Sequence, residues 1–183
     1  MRNLKKFSKY IFLAFICLFI DQAIKYYCSK NIALMDVVPL SENISLTHTR
    51  NFGIIGEHYS QYPKGERESY TLYWPLTLLL MLTVLALKRF SKCSFFERLG
   101  YTFMLAGGVS NLRDHWIYHH VIDTFSISFL ESKYQPLNFA DLLLVTGATL
   151  LFISYTFLWF QSQGKIPQTM LIDPDYWTAN RET

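Results

Sequence analysis

The residues best suited to chemistry in this sequence are carboxylates and amides that recur at short, regular spacings. They are Asp21 with Lys25, Asn51 with Gly53, Asn111 with Asp114, the single Asp123, and Asn138 with Asp141. Residues three or four apart share one face of a helix, where opposite charges can pair, and carboxylates can give or accept protons. The spacing therefore predicts that these polar groups work in small clusters.

Four apolar runs must position these groups. The runs are Ser8 to Tyr27, Tyr70 to Leu87, Leu99 to Leu112 and Phe139 to Phe160, in a chain of 183 residues that is 51% apolar. At about 1.5 Å per residue, the second and fourth runs cover most of the hydrocarbon core of a bilayer. The third is shorter and rich in small residues, which favours close packing against other helices. We therefore predict an all-α membrane protein with four transmembrane helices.

The distribution of Lys and Arg predicts the orientation of these spans. The clusters are Arg2, Lys5, Lys6 and Lys9 before the first span, and Lys88, Arg89, Lys92 and Arg98 between the second and third. Because such clusters stay on the cytoplasmic side, both termini should be cytoplasmic. Ser29 to Ser69 and His115 to Leu137 should then lie outside, with Asp123 in the loop between the third and fourth spans. We divide the chain into a four-helix transmembrane domain over residues 1–160 and a polar cytoplasmic tail over 161–183.

The first outer segment contains a strand pattern. Ile44 to Thr49 alternates apolar with polar residues and is rich in β-branched side chains, as is typical of a half-buried strand. The fold class is therefore extended by a small β-structured segment on the outer face.

Charge and cysteine content argue against two classes of protein. The net charge is only +3 and forms no extended basic face, so nucleic acid is not an expected partner. Cys17, Cys28 and Cys93 lack a CxxC spacing and are interpreted as packing residues. No metal ion and no cofactor is expected.

In this topology all the polar clusters fall at the outer membrane face. Helix capping or a preference for the interface explains any single pair. Burying ionisable residues at a membrane boundary costs free energy, however, so several of them at one face indicate a functional site.

Five short motifs resemble those of a known family. They are Asp-Gln-x-x-Lys from Asp21, Asn-x-Gly from Asn51, Gly-x-x-Ser-Asn-x-x-Asp from Gly107, Val-Ile-Asp ending at Asp123, and Asn-Phe-Ala-Asp from Asn138. Over residues 8–160 their order and spacing resemble lipoprotein signal peptidase, also called signal peptidase II. The resemblance implies an aspartic endopeptidase of the bacterial inner membrane that removes signal peptides from diacylglyceryl-modified prolipoproteins.

The resemblance also assigns roles to the polar residues. Asp123 and Asp141 take the catalytic positions. The supporting or substrate-binding positions fall on Asp21, Lys25, Asn51, Gly53, Asn111, Asp114 and Asn138. The implied partners are lipid-modified prolipoproteins and membrane lipids, and the implied enzyme is a monomer with its active site at the outer face.

Departures from the family pattern leave two alternatives open. His115 stands where the family usually has Arg, and Ile54 and Ile55 replace a usual pair of alanines, so a catalytically altered paralogue that binds lipidated proteins is one alternative. The second is a metal-dependent membrane protease, because His115, His119 and His120 fall within six residues. No Glu follows His115, as an HExxH motif requires. A proton relay is disfavoured, since the second and fourth spans carry few polar groups.

Overall fold

Four long helices and a small antiparallel sheet make up the fold in the computed structural model, which describes residues 2–53, 65–66, 69–90, 92–127 and 135–164. The helices are α1 (Arg2–Asn31), α2 (Trp74–Arg89), α3 (Phe95–Tyr118) and α4 (Phe139–Ser162). A π-helical segment, Ser69–Tyr73, leads directly into α2. Each of the four predicted apolar runs lies within one of these helices or, for the second, within the π-helical segment and α2.

Three helical segments in the described part of the chain are long and apolar enough to cross a membrane, and they are Phe7–Asn31, Ser69–Arg89 and Phe139–Ser162. The remaining helix, α3, has 24 residues but carries charged residues near both ends, such as Glu97 and Arg113. The prediction of a mainly helical membrane protein with a small β-structured segment is therefore confirmed.

The outward faces of the apolar helices are themselves apolar. On α1, the side chains of Phe12, Phe15 and Phe19 are 67%, 67% and 73% exposed. Exposure of this apolar surface to water would cost free energy, whereas lipid tails are as apolar as these side chains. The lipid bilayer is the environment that suits these faces.

The helices α3 and α4 approach each other closely through glycines. A Cβ atom added at Gly107 would lie 2.5 Å from the backbone oxygen of Ala140, and one added at Gly147 would lie 2.7 Å from the backbone oxygen of Gly100. Since no side chain fits in these gaps, the two backbones pack directly. The small residues of the third apolar run therefore serve helix packing, as predicted, and they fix the first turn of α4 against α3.

The sheet contains β1 (Val37–Pro39), β2 (Ile44–Asn51), β3 (Val121–Ile127) and β4 (Gln135–Leu137), in that spatial order and all antiparallel. The strand predicted at Ile44 to Thr49 is confirmed as part of β2. Asp123, which was predicted to lie in a loop, is instead on β3, one of the two central strands of the sheet. Between Leu46 and Thr49 the register with β3 shifts by one residue, and such bulges redirect neighbouring side chains.

At the opposite end of the helices, polar contacts join α2, α3 and α4. Ser94 caps α3 through a reciprocal bond with Glu97, whose carboxylate also accepts from Arg89 Nε at 3.0 Å. The hydroxyls of Tyr101 and Tyr155 are 2.6 Å apart. These contacts satisfy buried polar groups and hold the bundle together away from the sheet.

Candidate functional site

Asp141, in the first turn of α4, and Asp123, in the middle of β3, lie on either side of Asn138. The Asn138 side-chain amide donates to Asp123 Oδ1 at 2.8 Å. Its backbone N–H donates to Asp141 Oδ2 at 3.0 Å, and its side-chain oxygen accepts the Asp141 N–H at 2.9 Å. The last two bonds form a capping box, so helix capping and the pairing of Asp123 with Asp141 use the same residue.

A second amide holds the other oxygen of Asp123. Thr49 pairs with Asp123 across the sheet, and Asn51, two residues further along β2, points the same way because strand side chains alternate. Asn51 Nδ2 donates to Asp123 Oδ2 at 3.1 Å, while Asn51 Oδ1 accepts the Gly53 N–H at 2.9 Å. Gly53 therefore fixes the orientation of the amide that contacts Asp123.

A third amide reaches Asp141 from α3. Asn111 Nδ2 donates to Asp141 Oδ1 at 2.8 Å, and Asn111 Oδ1 accepts from Lys25 Nζ at 2.8 Å. Lys25, on α1, thus determines which end of the Asn111 amide faces the carboxylate. Both oxygens of Asp141 accept hydrogen bonds from fixed donors.

Lys25 also neutralises two buried carboxylates. Its Nζ lies 2.8 Å from Asp21 Oδ2 and 2.8 Å from Asp114 Oδ2, and all three side chains are at most 2% exposed. The predicted pairing of Asp21 with Lys25 is therefore confirmed, and Asp114 joins it from a different helix. The free-energy cost of burying these charges is offset only because the ammonium group and the two carboxylates pair with one another.

All nine candidate residues belong to one connected network. Starting from Gly53, hydrogen bonds or ion pairs lead through Asn51, Asp123, Asn138, Asp141, Asn111 and Lys25 to Asp21 and Asp114. Three helices and two strands contribute to it. Ile54 and Ile55, the departures that follow Gly53, lie outside the described residues.

The network contains further groups that were not among the predicted site residues. Ser110 is fully buried and donates to Asp21 Oδ2 at 2.6 Å, and the backbone N–H of Ala140 donates to Asp21 Oδ1 at 2.8 Å. Gln22 Nε2 donates to Ser110 Oγ at 2.7 Å and to Asp114 Oδ1 at 3.1 Å. Gln22 and Ser110 lie next to predicted residues within the quoted motifs, and this position was the signal by which they could have been recognised. The backbone N–H of Ala140 could not be recognised from the sequence, because every residue other than proline has such a donor.

The environment of Asp123 favours retention of a proton. Burial first, and then the negative charge of Asp141, raise the pKa of Asp123 to about 6, against the lowering effect of the Asn138 and Asn51 bonds. Two carboxylates that cannot both ionise easily hold one proton between them, so that one can act as an acid and the other as a base. The arrangement is suited to activating a water molecule and polarising a carbonyl group.

The histidines do not form the pattern that a metal protease requires. The helix α3 ends at Tyr118, and His119 is its C-cap with a φ of 60°. His119 therefore does not continue the helical face of His115. Within the described residues, no group of three His, Cys, Asp or Glu side chains is placed to hold a metal ion.

Comparisons with known proteins agree on one family. A family described as signal peptidase (SPase) II matches residues 13–157. A lipoprotein signal peptidase of Bartonella quintana is 26% identical over 171 residues, covering 90% of this chain and 96% of that protein. One of Lactococcus lactis is 30% identical over 135 residues, covering 73% of this chain and 84% of that protein.

The fold also matches a solved structure. A bacterial membrane enzyme, determined by the in meso method at 2.3 Å resolution, superimposes with a TM-score of 0.70 at 18% sequence identity. The match covers 88% of this chain and 94% of that one. The arrangement of helices and sheet is thus shared with a known membrane enzyme.

Proposed function

The chain belongs to the signal peptidase II family, and from this premise we propose that Asp123 and Asp141 are the carboxylates with which it cleaves peptide bonds. The protein is a peptide hydrolase that removes signal peptides from prolipoproteins. The observation that carries the assignment is Asn138, which hydrogen-bonds both aspartates at once and so holds them in a fixed relation. The substrates are prolipoproteins whose cysteine carries a diacylglyceryl group.

The mechanism follows from one proton shared by two carboxylates. The ionised aspartate takes a proton from a water molecule, whose oxygen attacks the scissile carbonyl carbon. The protonated aspartate donates to the carbonyl oxygen, and a proton then passes to the leaving amine as the C–N bond breaks. Asn111 and Asn138 hold the carboxylates without titrating themselves, and no step requires a metal ion.

The remaining residues of the network support this pair. Asn51 and Gly53 orient Asp123 from the sheet. The ion pair of Lys25 with Asp114 holds α1 against α3, and Asp21 pairs with Lys25 within α1. We place the enzyme in the bacterial inner membrane as a monomer in contact with membrane lipids, with the peptidase domain over residues 1–160. Residues 165–183, most of the proposed cytoplasmic tail, lie outside the described residues.

We propose that α3 also crosses the membrane, as the third of four spans in chain order. It packs against α1, α2 and α4, so much of its surface contacts protein and not lipid. A helix surrounded in this way needs less apolar character than one that faces lipid, which explains why its polar residues can point into the site. Four spans put both termini on one side of the membrane, and the Lys and Arg clusters favour the cytoplasm for that side. The network then lies at the outer face.

Cysteine labelling of intact cells tests this orientation. Glu42 and Lys92 are both exposed, and the topology places them on opposite sides of the membrane. In a variant lacking Cys17, Cys28 and Cys93, we expect a cysteine at position 42 to react with an impermeant thiol reagent. One at position 92 should react only after the cells are permeabilised. The reverse pattern would contradict the orientation.

The function itself is tested by processing in a cell that lacks its own signal peptidase II. Expression of this chain should convert an accumulated diacylglyceryl-modified prolipoprotein to the mature form. Binding of the prolipoprotein without cleavage would identify the altered paralogue instead. Loss of cleavage on treatment with a chelator would indicate the metal-dependent alternative.

A further inference from the structure

At the end of the helices away from the two aspartates, the start of α1 packs against the link between α2 and α3. The rings of Phe7 and Tyr10 meet the ring of Phe90 edge to face, with centroids 4.7 and 5.8 Å apart. Lys9 lies between these two residues of α1 and is exposed. The basic cluster at the start of the sequence is therefore brought next to the basic cluster between the second and third spans.

We call residues 7–10, 88–90 and 92–98 the basic junction. Its one acidic residue, Glu97, is 1% exposed and pairs with Arg89 at 3.0 Å. The surface of the basic junction is therefore positively charged. The cationic residues that contribute to it are Lys9, Lys88, Arg89, Lys92 and Arg98.

Two contacts with Phe90 orient the side chain of Arg98. Its Nε donates to the backbone oxygen of Phe90 at 3.2 Å, and its guanidinium carbon lies 5.5 Å from the centre of the Phe90 ring. An arginine has five N–H donors, of which this bond uses one, and its planar guanidinium matches the geometry of phosphate oxygens. Arg98 is therefore preorganised to donate hydrogen bonds to a phosphate.

Apolar surface that faces lipid borders the basic junction. Leu85 and Leu87, just before Lys88, are 43% and 57% exposed, while Phe95 and Phe96, after the link, are 53% and 50% exposed. Exposed apolar side chains next to exposed cations are typical of the depth at which the hydrocarbon of a bilayer meets its headgroups. The anion available at this depth is the headgroup of a phospholipid.

We propose that the basic junction binds the headgroup of an anionic phospholipid, whose phosphate accepts hydrogen bonds from Arg98 and the exposed lysines. A zwitterionic headgroup carries a cation of its own, so the positive surface favours a lipid with net negative charge. The lipid joins the start of α1 to the link between α2 and α3, and it stabilises the folded protein because it binds only that state. This binding is independent of peptide cleavage.

Thermal unfolding of the purified chain in dodecyl maltoside micelles, followed by tryptophan fluorescence, tests the proposal. Phosphatidylglycerol at a tenfold excess over its dissociation constant should raise Tm by about 3–6 °C. The same mole fraction of phosphatidylcholine should leave Tm unchanged, and so should an equal concentration of glycerol 3-phosphate, which has the phosphate but no acyl chains. An equal rise with either of these two compounds overturns the proposal.

Substitutions identify where the lipid binds. Lys92→Gln removes one exposed cation, so the mole fraction of phosphatidylglycerol at the half-maximal rise in Tm should increase about fivefold, as expected for one lysine near an anionic headgroup. Arg98→Gln should increase it at least as much. The matched control is Lys30→Gln, at an exposed position near the other end of α1, and it should respond like wild type.

Diffuse attraction between a cationic protein and an anionic micelle would change the response of Lys30→Gln as much as that of Lys92→Gln, and this result overturns the proposal. If Arg98→Gln does not fold, Lys88→Gln takes its place, because Lys88 is exposed, and the same fivefold increase is expected. A wild-type response of Lys92→Gln together with Arg98→Gln or Lys88→Gln also overturns the proposal. The proposed function would still stand, since cleavage does not enter these measurements.

Discussion

Asp123→Asn and Asp141→Asn should each reduce cleavage of a diacylglyceryl-modified prolipoprotein by a factor on the order of 10³ or more, which is the scale of acid–base catalysis. An amide can neither accept the proton of the attacking water nor share a proton with the remaining carboxylate. Each substitution retains the shape of the side chain, so membrane insertion should be unaffected. The measurement is turnover by purified enzyme, together with the amount of protein in the membrane fraction.

The matched control is Glu42→Gln, which makes the same change of carboxylate to amide at an exposed position. It should cleave at the wild-type rate. Near-normal turnover by either aspartate variant would show that the pair is not the catalytic machinery. The histidine and metal hypothesis would then be the next to test, with chelators and with His115→Phe.

The proton shared by Asp123 and Asp141 also determines how the rate of cleavage should change with pH. With the pKa of Asp123 raised to about 6 by burial and by Asp141, the form holding one proton loses it as pH rises. The value of kcat/KM should therefore fall on the alkaline side, at an apparent pKa that belongs to the pair and not to one residue.

Sequence spacing predicted the helical part of the site because its geometry is local. Asp21 and Lys25 are one helical turn apart, and the structure pairs them at 2.8 Å. The long apolar runs likewise determine helices on their own, since length and apolarity suffice. What spacing alone did not show is that Asp114, 89 residues after Lys25, completes the same ion-pair group.

The strand β3 was missed because its sequence lacks the usual signal. Val121 to Ser126 is almost entirely buried. A strand that is covered on both faces does not need to alternate apolar with polar residues, so the alternation that identifies half-buried strands is absent. Asp123 therefore looked like a loop residue. Its contacts with Asn51 and Asn138 depend on the register of β2 and on the cap of α4, and neither can be read from residue spacing.

Lys25→Met should destabilise the protein strongly, by about 3–5 kcal/mol in the free energy of unfolding, which is the usual cost of removing one partner from a buried ion pair. The ammonium is 2.8 Å from both Asp21 and Asp114. Methionine has nearly the same length and is apolar, so it preserves packing and removes only the charge and its hydrogen bonds. The measurement is thermal unfolding in detergent, where Lys30→Met, at an exposed position on the same helix, is the control and should unfold like wild type.

The same substitution separates support of the fold from chemistry. Lys25 holds the Asn111 amide that contacts Asp141, so in the fraction of protein that remains folded, cleavage should fall only partly. Adding Asp114→Asn to Lys25→Met removes one of the two uncompensated carboxylates and should recover part of the lost stability. Wild-type stability in Lys25→Met would contradict the ion-pair account. A well-folded Lys25→Met or Lys25→Ala enzyme without any turnover would instead place Lys25 among the catalytic residues, because loss of a supporting contact cannot remove activity completely while both aspartates keep their bonds to Asn138.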